Sequence, residues 1–63
     1  MNLQEIKDSI IGLTPIRARA LTKTIIRVVK EEGFPVKVGP EYRPNRVNVG
    51  IRAGKIEEVI NLG

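Results

Sequence analysis

Cysteine and histidine are both absent from this chain. The first absence removes disulfides and thiolate nucleophiles; the second removes the commonest metal ligand and the usual general base at neutral pH. An enzyme is therefore not expected, nor a metal centre, nor a cofactor. Aromatic residues are scarce as well: only Phe34 and Tyr42 are present, which leaves little of the stacking platform that a single-strand nucleic-acid binder needs. No apolar run approaches membrane-spanning length, so a membrane partner is not expected. The stretch NLQEIKDS after Met1 lacks the basic start and the roughly 7–15-residue apolar run of a secretory signal. Together with the lack of cysteine, this gives the expectation of a cytoplasmic chain, or of a secreted one if it is a trimmed part of a longer protein.

What is present fits one small domain spanning residues 1–63. A chain of this size buries only about 60% of its unfolded surface, so a large cleft is not expected, and a homodimer that shares apolar surface is an option. Lys and Arg number 11 against 7 acidic residues, a formal charge of +4. Arg17, Arg19, Lys23 and Arg27 form a candidate basic surface, a stripe across a helix and a strand. Such a stripe would contact nucleic acid or an acidic protein with an affinity that falls as salt rises.

Punctuation along the chain sets the elements. Asn2 with Glu5 three residues on is a helix-capping pair, Leu3, Ile6 and Ile10 follow at helical spacing, and Gly12 stands where that helix would end. The first helix is predicted over Leu3–Ile11. Thr14-Pro15 repeats the start signal, which places a second helix over Pro15–Lys23. Leu3, Ile6, Ile10, Ile16, Ala20 and Leu21 are the expected apolar face of the pair. TIIRVVK, from Thr24, is rich in β-branched residues and predicts a strand over Ile25–Lys30. Arg46–Ile51 alternates, with Val47, Val49 and Ile51 on one face and Arg46, Asn48 and Gly50 on the other. After a turn at Arg52–Lys55, Ile56–Leu62 is the last strand, and the two make a hairpin. The fold class is α+β: a small sheet, with a parallel pair plus a C-terminal hairpin, packed against N-terminal helices and carrying a long projecting loop.

That loop, EEGFPVKVGPEYRPN, runs for fifteen residues between the first two strands. Its prolines exclude a central strand, and its length is unusual for an idle connection in so small a domain. It is long enough to carry the chain back along the sheet, so a parallel pairing is feasible. Phe34, near its start, reads as a cap on the open end of the core. Arg46 and Asn48 project from the same side of their strand. From the alternation alone they are the solvated side of an amphipathic strand. The other reading is that their donors hold the loop's carbonyls and the Glu41 carboxylate, making the loop stiff; a stiff loop loses little entropy on entering another protein's groove.

The run EYRPNRVNV, preceded by IRVV and a Gly-bearing loop and followed by a strand closing on Gly63, resembles the potato inhibitor I family of serine protease inhibitors. Glu41, Tyr42, Arg43, Pro44, Arg46 and Asn48 carry the most specific part of the likeness, with weaker matches at SIIG in the first helix and at Lys55-Ile56. The resemblance implies a serine protease inhibitor whose reactive loop, about residues 33–44, is offered as a substrate-like strand. The residues offered would be Val36, Lys37, Val38, Gly39, Pro40, Glu41 and Tyr42, supported by Arg43, Arg46 and Asn48. The implied partner is a serine protease of subtilisin, chymotrypsin or elastase type. Two registers are open. Alignment on Glu41 puts Gly39 and Pro40 at the family's Thr and pocket positions and makes Pro40–Glu41 the scissile bond. Alignment on the loop's GFPV start puts Lys37 and Val38 there and makes it Val38–Gly39, with Gly39-Pro40 as an insertion. The alternative function is a non-inhibitory cytoplasmic binding module on the same scaffold, acting through the basic surface.

Overall fold

A computed structural model describes residues 2–63; Met1, which precedes the NLQEIKDS stretch, lies outside the described residues. Two helices, α1 (Leu3–Ile10) and α2 (Pro15–Thr22), precede four strands, β1 (Ile25–Glu31), β2 (Phe34–Pro35), β3 (Arg46–Arg52) and β4 (Lys55–Leu62). The strands form one mixed sheet in the order β2-β1-β3-β4. β1 and β3 are parallel, in a register that sets Arg27 beside Asn48 and Val28 beside Val49. β3 and β4 are antiparallel. The fold is thus α+β, with the parallel pair and the terminal hairpin that the sequence predicts.

The local signals act as their chemistry requires. The Asn2 side chain accepts from the Glu5 N–H at 2.9 Å, and Gly12, with φ at +89°, takes the left-handed conformation that ends the first helical stretch. Thr14 accepts from the Arg17 N–H at 3.3 Å, and Pro15 opens α2 where a missing N–H costs nothing. The link between the helices is docked on the sheet by two backbone bonds: Gly12 N–H donates to the Ile56 carbonyl, and Ile56 N–H donates to the Leu13 carbonyl, both at 2.8 Å.

Ile6, Ile10, Ala18, Val47, Val49, Ile56 and Val59 form the core, with Leu3, Leu13, Ile26, Val28 and Ile51 packed around it. Full burial of each large aliphatic side chain stabilises the fold by about 1.5–3 kcal/mol. Helix α1 presents the expected face, but α2 does not. Ile16 and Leu21 are 83% and 58% exposed, and Ala18 supplies the fully buried contact instead; Ala20 is exposed as well. The apolar residues of PIRARALT are spread around the helix and define no stripe. A methyl side chain at the contact lets so short a helix lie close to the sheet. Phe34 is 74% exposed and caps nothing in the core.

The long connection is also shorter than predicted. Glu31 extends β1, and Glu32 and Gly33, with φ of 51° and 84°, make a tight turn that lays Phe34–Pro35 antiparallel against Lys30–Glu31. Two consecutive positive φ angles are what a two-residue hairpin needs. Pro35 sits where a missing N–H is tolerated, on the sheet's edge. Only residues 36–45 remain as irregular loop.

Strand β3 is buried on both faces. Arg46 and Asn48 are 7% and 5% exposed, and Gly50 is buried beside them, so the polar side of the strand is not solvated. The reason is topological: β3 lies between β1 and β4, whose side chains close over it.

Two stability outcomes follow from this packing. Ile10→Ala is expected to lower the unfolding free energy by about 2–4 kcal/mol, while Ile16→Ala changes it by less than about 0.5 kcal/mol; urea titrations of the two variants would separate the buried helix from the exposed one. Ala53 and Gly54, with φ of 53° and 77°, form the β3–β4 turn, and a non-glycine residue in that conformation is disfavoured by roughly 1–2 kcal/mol. Ala53→Gly should therefore raise the urea midpoint.

Candidate functional site

The loop lies over the polar face of the β1–β3 pair, and two guanidinium groups rise from that face to meet it. Residues 25–31 alternate so that Ile26 and Val28 point to the core, which leaves Arg27 on the other side, next to Asn48 in the parallel register. Arg27 Nε donates to Asn48 Oδ1 at 2.8 Å and Arg27 Nη1 donates to the Gly39 carbonyl at 3.3 Å. Asn48 Nδ2 in turn donates to Asn61 Oδ1 on β4 at 2.7 Å. Three strands thus contribute to one chain of hydrogen bonds that ends on the loop backbone.

The second guanidinium is Arg46. Its Nη2 donates to the Glu41 carbonyl and to the Gly63 carbonyl at 2.7 Å. Its Nε is buried without a hydrogen-bond partner among the described residues, a cost that an Arg free to turn outward would escape. Burial, and then the like charge of Arg27, pull the Arg46 guanidinium below its ordinary pKa, while Glu41 opposes them. Arg46 remains charged at neutral pH, because arginine starts so high.

Glu41 answers this positive charge. Arg43 Nε donates to Glu41 Oε1 at 2.8 Å, and Arg46 Nη1 stands 3.9 Å from the same oxygen. The hydrogen bond from Arg43, followed by that residue's charge and those of Arg46 and Arg27, holds the Glu41 carboxyl below its ordinary pKa of 4.5. The same contact raises Arg43. Both partners are exposed, so solvent and salt weaken the pair.

The two roots of the loop are fixed by backbone bonds. Val36 N–H donates to the Val29 carbonyl at 3.0 Å, continuing the sheet for one residue beyond β2. On the other side, Arg46 N–H donates to the Arg43 carbonyl at 3.1 Å, Arg43 N–H to the Gly63 carbonyl at 3.2 Å, and Gly63 N–H to the Arg46 carbonyl at 2.8 Å. Tyr42 closes over Gly63 so tightly that a Cβ there would lie 2.9 Å from the ring, and Gly63 has φ at +121°, a region that favours glycine alone.

Each sequence-predicted residue therefore has a place. Val36 is half-buried at the root; Lys37, Val38, Gly39, Pro40, Glu41 and Tyr42 are exposed along the crest. Arg46 holds the loop directly, the Arg43 side chain holds the Glu41 carboxylate, and Asn48 acts through Arg27. The predicted basic stripe is broken, since Arg27 faces the loop on the sheet side opposite the helices, leaving Arg17, Arg19 and Lys23 exposed at α2. Arg27 as a contact to the loop, and Asn61 and Gly63 as anchors, were not foreseen. A lone charge inside the β-branched run IIRVV was the available signal for Arg27: such a residue needs a partner on the sheet's second face.

Among the described residues, no group of three or more His, Asp or Glu could hold a metal ion, and no helix is long and apolar enough to cross a membrane. No family model, curated protein or solved structure matches the chain.

The Glu41 contacts carry a pH dependence of defined sign. A carboxyl whose pKa is lower folded than unfolded contributes stability that is complete above the unfolded value and is lost as pH falls through the folded one. Wild-type protein is expected to melt above Glu41→Gln at pH 7 in low salt, with the two Tm values converging as pH falls below 4.5 and the depressed pKa is passed. Calorimetry across that range checks it.

Proposed function

We propose that the protein is a serine protease inhibitor that presents residues 36–42 as a substrate-like loop. The observation that carries this reading is the pair of guanidinium groups, Arg27 and Arg46, rooted in the two central strands and donating to the Gly39 and Glu41 carbonyls of an otherwise exposed loop. The resemblance of EYRPNRVNV to the potato inhibitor I family points the same way.

The physical logic is one of retention. An exposed, extended loop enters a protease cleft by adding a strand to the enzyme's edge, as a substrate does. A flexible segment would lose conformational entropy on binding and would separate after cleavage. Here the sheet has already restricted the loop. After attack on the loop, the new ends remain where the side chains hold them, so resynthesis of the bond competes with release. Hydrolysis becomes slow, and the complex persists. Chemistry belongs to the protease; the inhibitor contributes geometry.

The alternative, a module that binds nucleic acid or an acidic protein through its basic surface, gains nothing from the burial of Arg46 or from the Arg27 contacts. It retains Arg17, Arg19 and Lys23, exposed at one helix, and a binding role for these alone needs no braced loop.

A panel of serine proteases with bulky, aliphatic, small and proline-accepting pockets, including subtilisin-, chymotrypsin- and elastase-like enzymes, tests the proposal. At least one should be inhibited by the intact protein, and that enzyme should cut Arg46→Ala at least about ten times faster, one order of magnitude being the effect of losing a single well-placed contact. Arg27→Ala should move in the same direction. Equal cleavage of wild type and both variants by every enzyme would contradict the proposal.

A further inference from the structure

A substrate-like loop leaves two candidate bonds, Val38–Gly39 and Pro40–Glu41, and the hydrogen bonds to the loop are distributed unequally between them. Gly39 and Glu41, whose carbonyls are held, stand on opposite sides of the Pro40 carbonyl carbon. Cutting Pro40–Glu41 would leave one held carbonyl in each new segment, next to the new end or at it. Cutting Val38–Gly39 would leave both held carbonyls on the same, downstream segment. The upstream segment would then be held only as far as Val36, by its N–H bond to the Val29 carbonyl; among the described residues no side-chain hydrogen bond reaches Lys37 or Val38.

Glycine at position 39 is not required by the fold. A Cβ there would meet nothing within 4 Å, and its φ lies outside the left-handed region. Residues before proline favour extended backbone, the conformation in which a strand enters a cleft. Pro40 itself is exposed. Pro40 fixes its own φ near −65°, which adds stiffness at the centre of the held segment. It also has no N–H to give to an enzyme edge, a defect for proteases that bind the pocket residue through that group. An enzyme that cleaves after proline makes no such demand.

Resting on the inhibitor reading above, we infer that the presented bond is Pro40–Glu41 and that the target is a serine endoprotease whose main specificity pocket accepts proline and whose cleft admits a folded protein. In the forward step the enzyme's serine oxygen bonds to the Pro40 carbonyl carbon, the bond to the Glu41 nitrogen breaks, and that nitrogen leaves as an amine carrying the proton delivered by the enzyme's general acid. Arg46 keeps the Glu41 carbonyl in place, so the amine stays beside the acyl group and re-forms the peptide as the serine departs. Water, attacking the same acyl carbon, is the slow competing path and yields the cut inhibitor.

The test uses wild type and Pro40→Leu, a change at an exposed loop position, against two enzymes: a post-proline-cleaving serine endoprotease that digests intact proteins, and subtilisin. Mass spectrometry after long incubation locates the cut. Wild type should inhibit the post-proline enzyme with one slow cut after Pro40. Pro40→Leu should lose at least about 100-fold in affinity there and gain at least about 100-fold against subtilisin, the scale of a central anchor residue. A slow cut after Val38, or subtilisin inhibited equally by both proteins, would overturn the register and the proline-accepting target while leaving the inhibitor reading intact. No inhibition of either enzyme by either protein would overturn both.

Discussion

The guanidinium of Arg46 joins three parts of the chain that are distant in sequence: the strand it grows from, the loop carbonyl of Glu41 and the carbonyl of Gly63. It does so from a position only 7% exposed, at the start of the central strand β3. Burying a charge is unfavourable unless hydrogen bonds compensate it, so its placement is stable only while the loop and Gly63 supply acceptors. Tyr42 over Gly63, the Arg43 turn and the Glu41 carboxylate all depend on that arrangement. With Arg27 as a second support from β1, the polar face of the sheet acts as a platform for a segment with few apolar contacts of its own.

This division assigns the two faces of the sheet in a 63-residue chain to different tasks. The core is one layer of aliphatic side chains between two short helices and the sheet, and it stabilises the frame only. On the opposite face the hydrogen bonds convert the rigidity of the frame into rigidity of the loop. The parallel β1–β3 pairing is central to both, because its register brings Arg27 beside Asn48 and aligns the two guanidinium groups under the loop. The like charge of Arg27 disfavours the Arg46 guanidinium, and the Glu41 carboxylate, 3.9 Å from Arg46 Nη1, offsets part of that charge.

Much of this was legible in the sequence. Capping residues, β-branched runs and strict alternation point to both helices, three of the four strands and the hairpin, and the length of the link between the first two strands makes their parallel pairing feasible. Arg46 and Asn48 were identifiable as possible braces, though alternation by itself argued for a solvated face. Alternation reports which side chains share a face; it does not report whether neighbouring strands cover that face, and β3 is covered because it is central. The apolar face of α2 is not legible for a related reason: in PIRARALT the apolar residues point in several directions, and close approach to the sheet selects Ala18 over Ile16 and Leu21. β2 is not legible because two residues ending in proline show no periodicity. Arg27 reads as part of a surface stripe in the sequence because its partner, Asn48, becomes a neighbour only through the parallel register.

The central claim is that the loop is stiff before any partner arrives. Backbone 15N relaxation at Lys37, Gly39, Glu41 and Tyr42 in the free protein measures this directly. The account requires order parameters near those of the strands, about 0.85, whereas values below about 0.6 would describe a mobile segment. Such values at Gly39 and Glu41 would mean that Arg27 and Arg46 do not hold the loop, and would contradict the account.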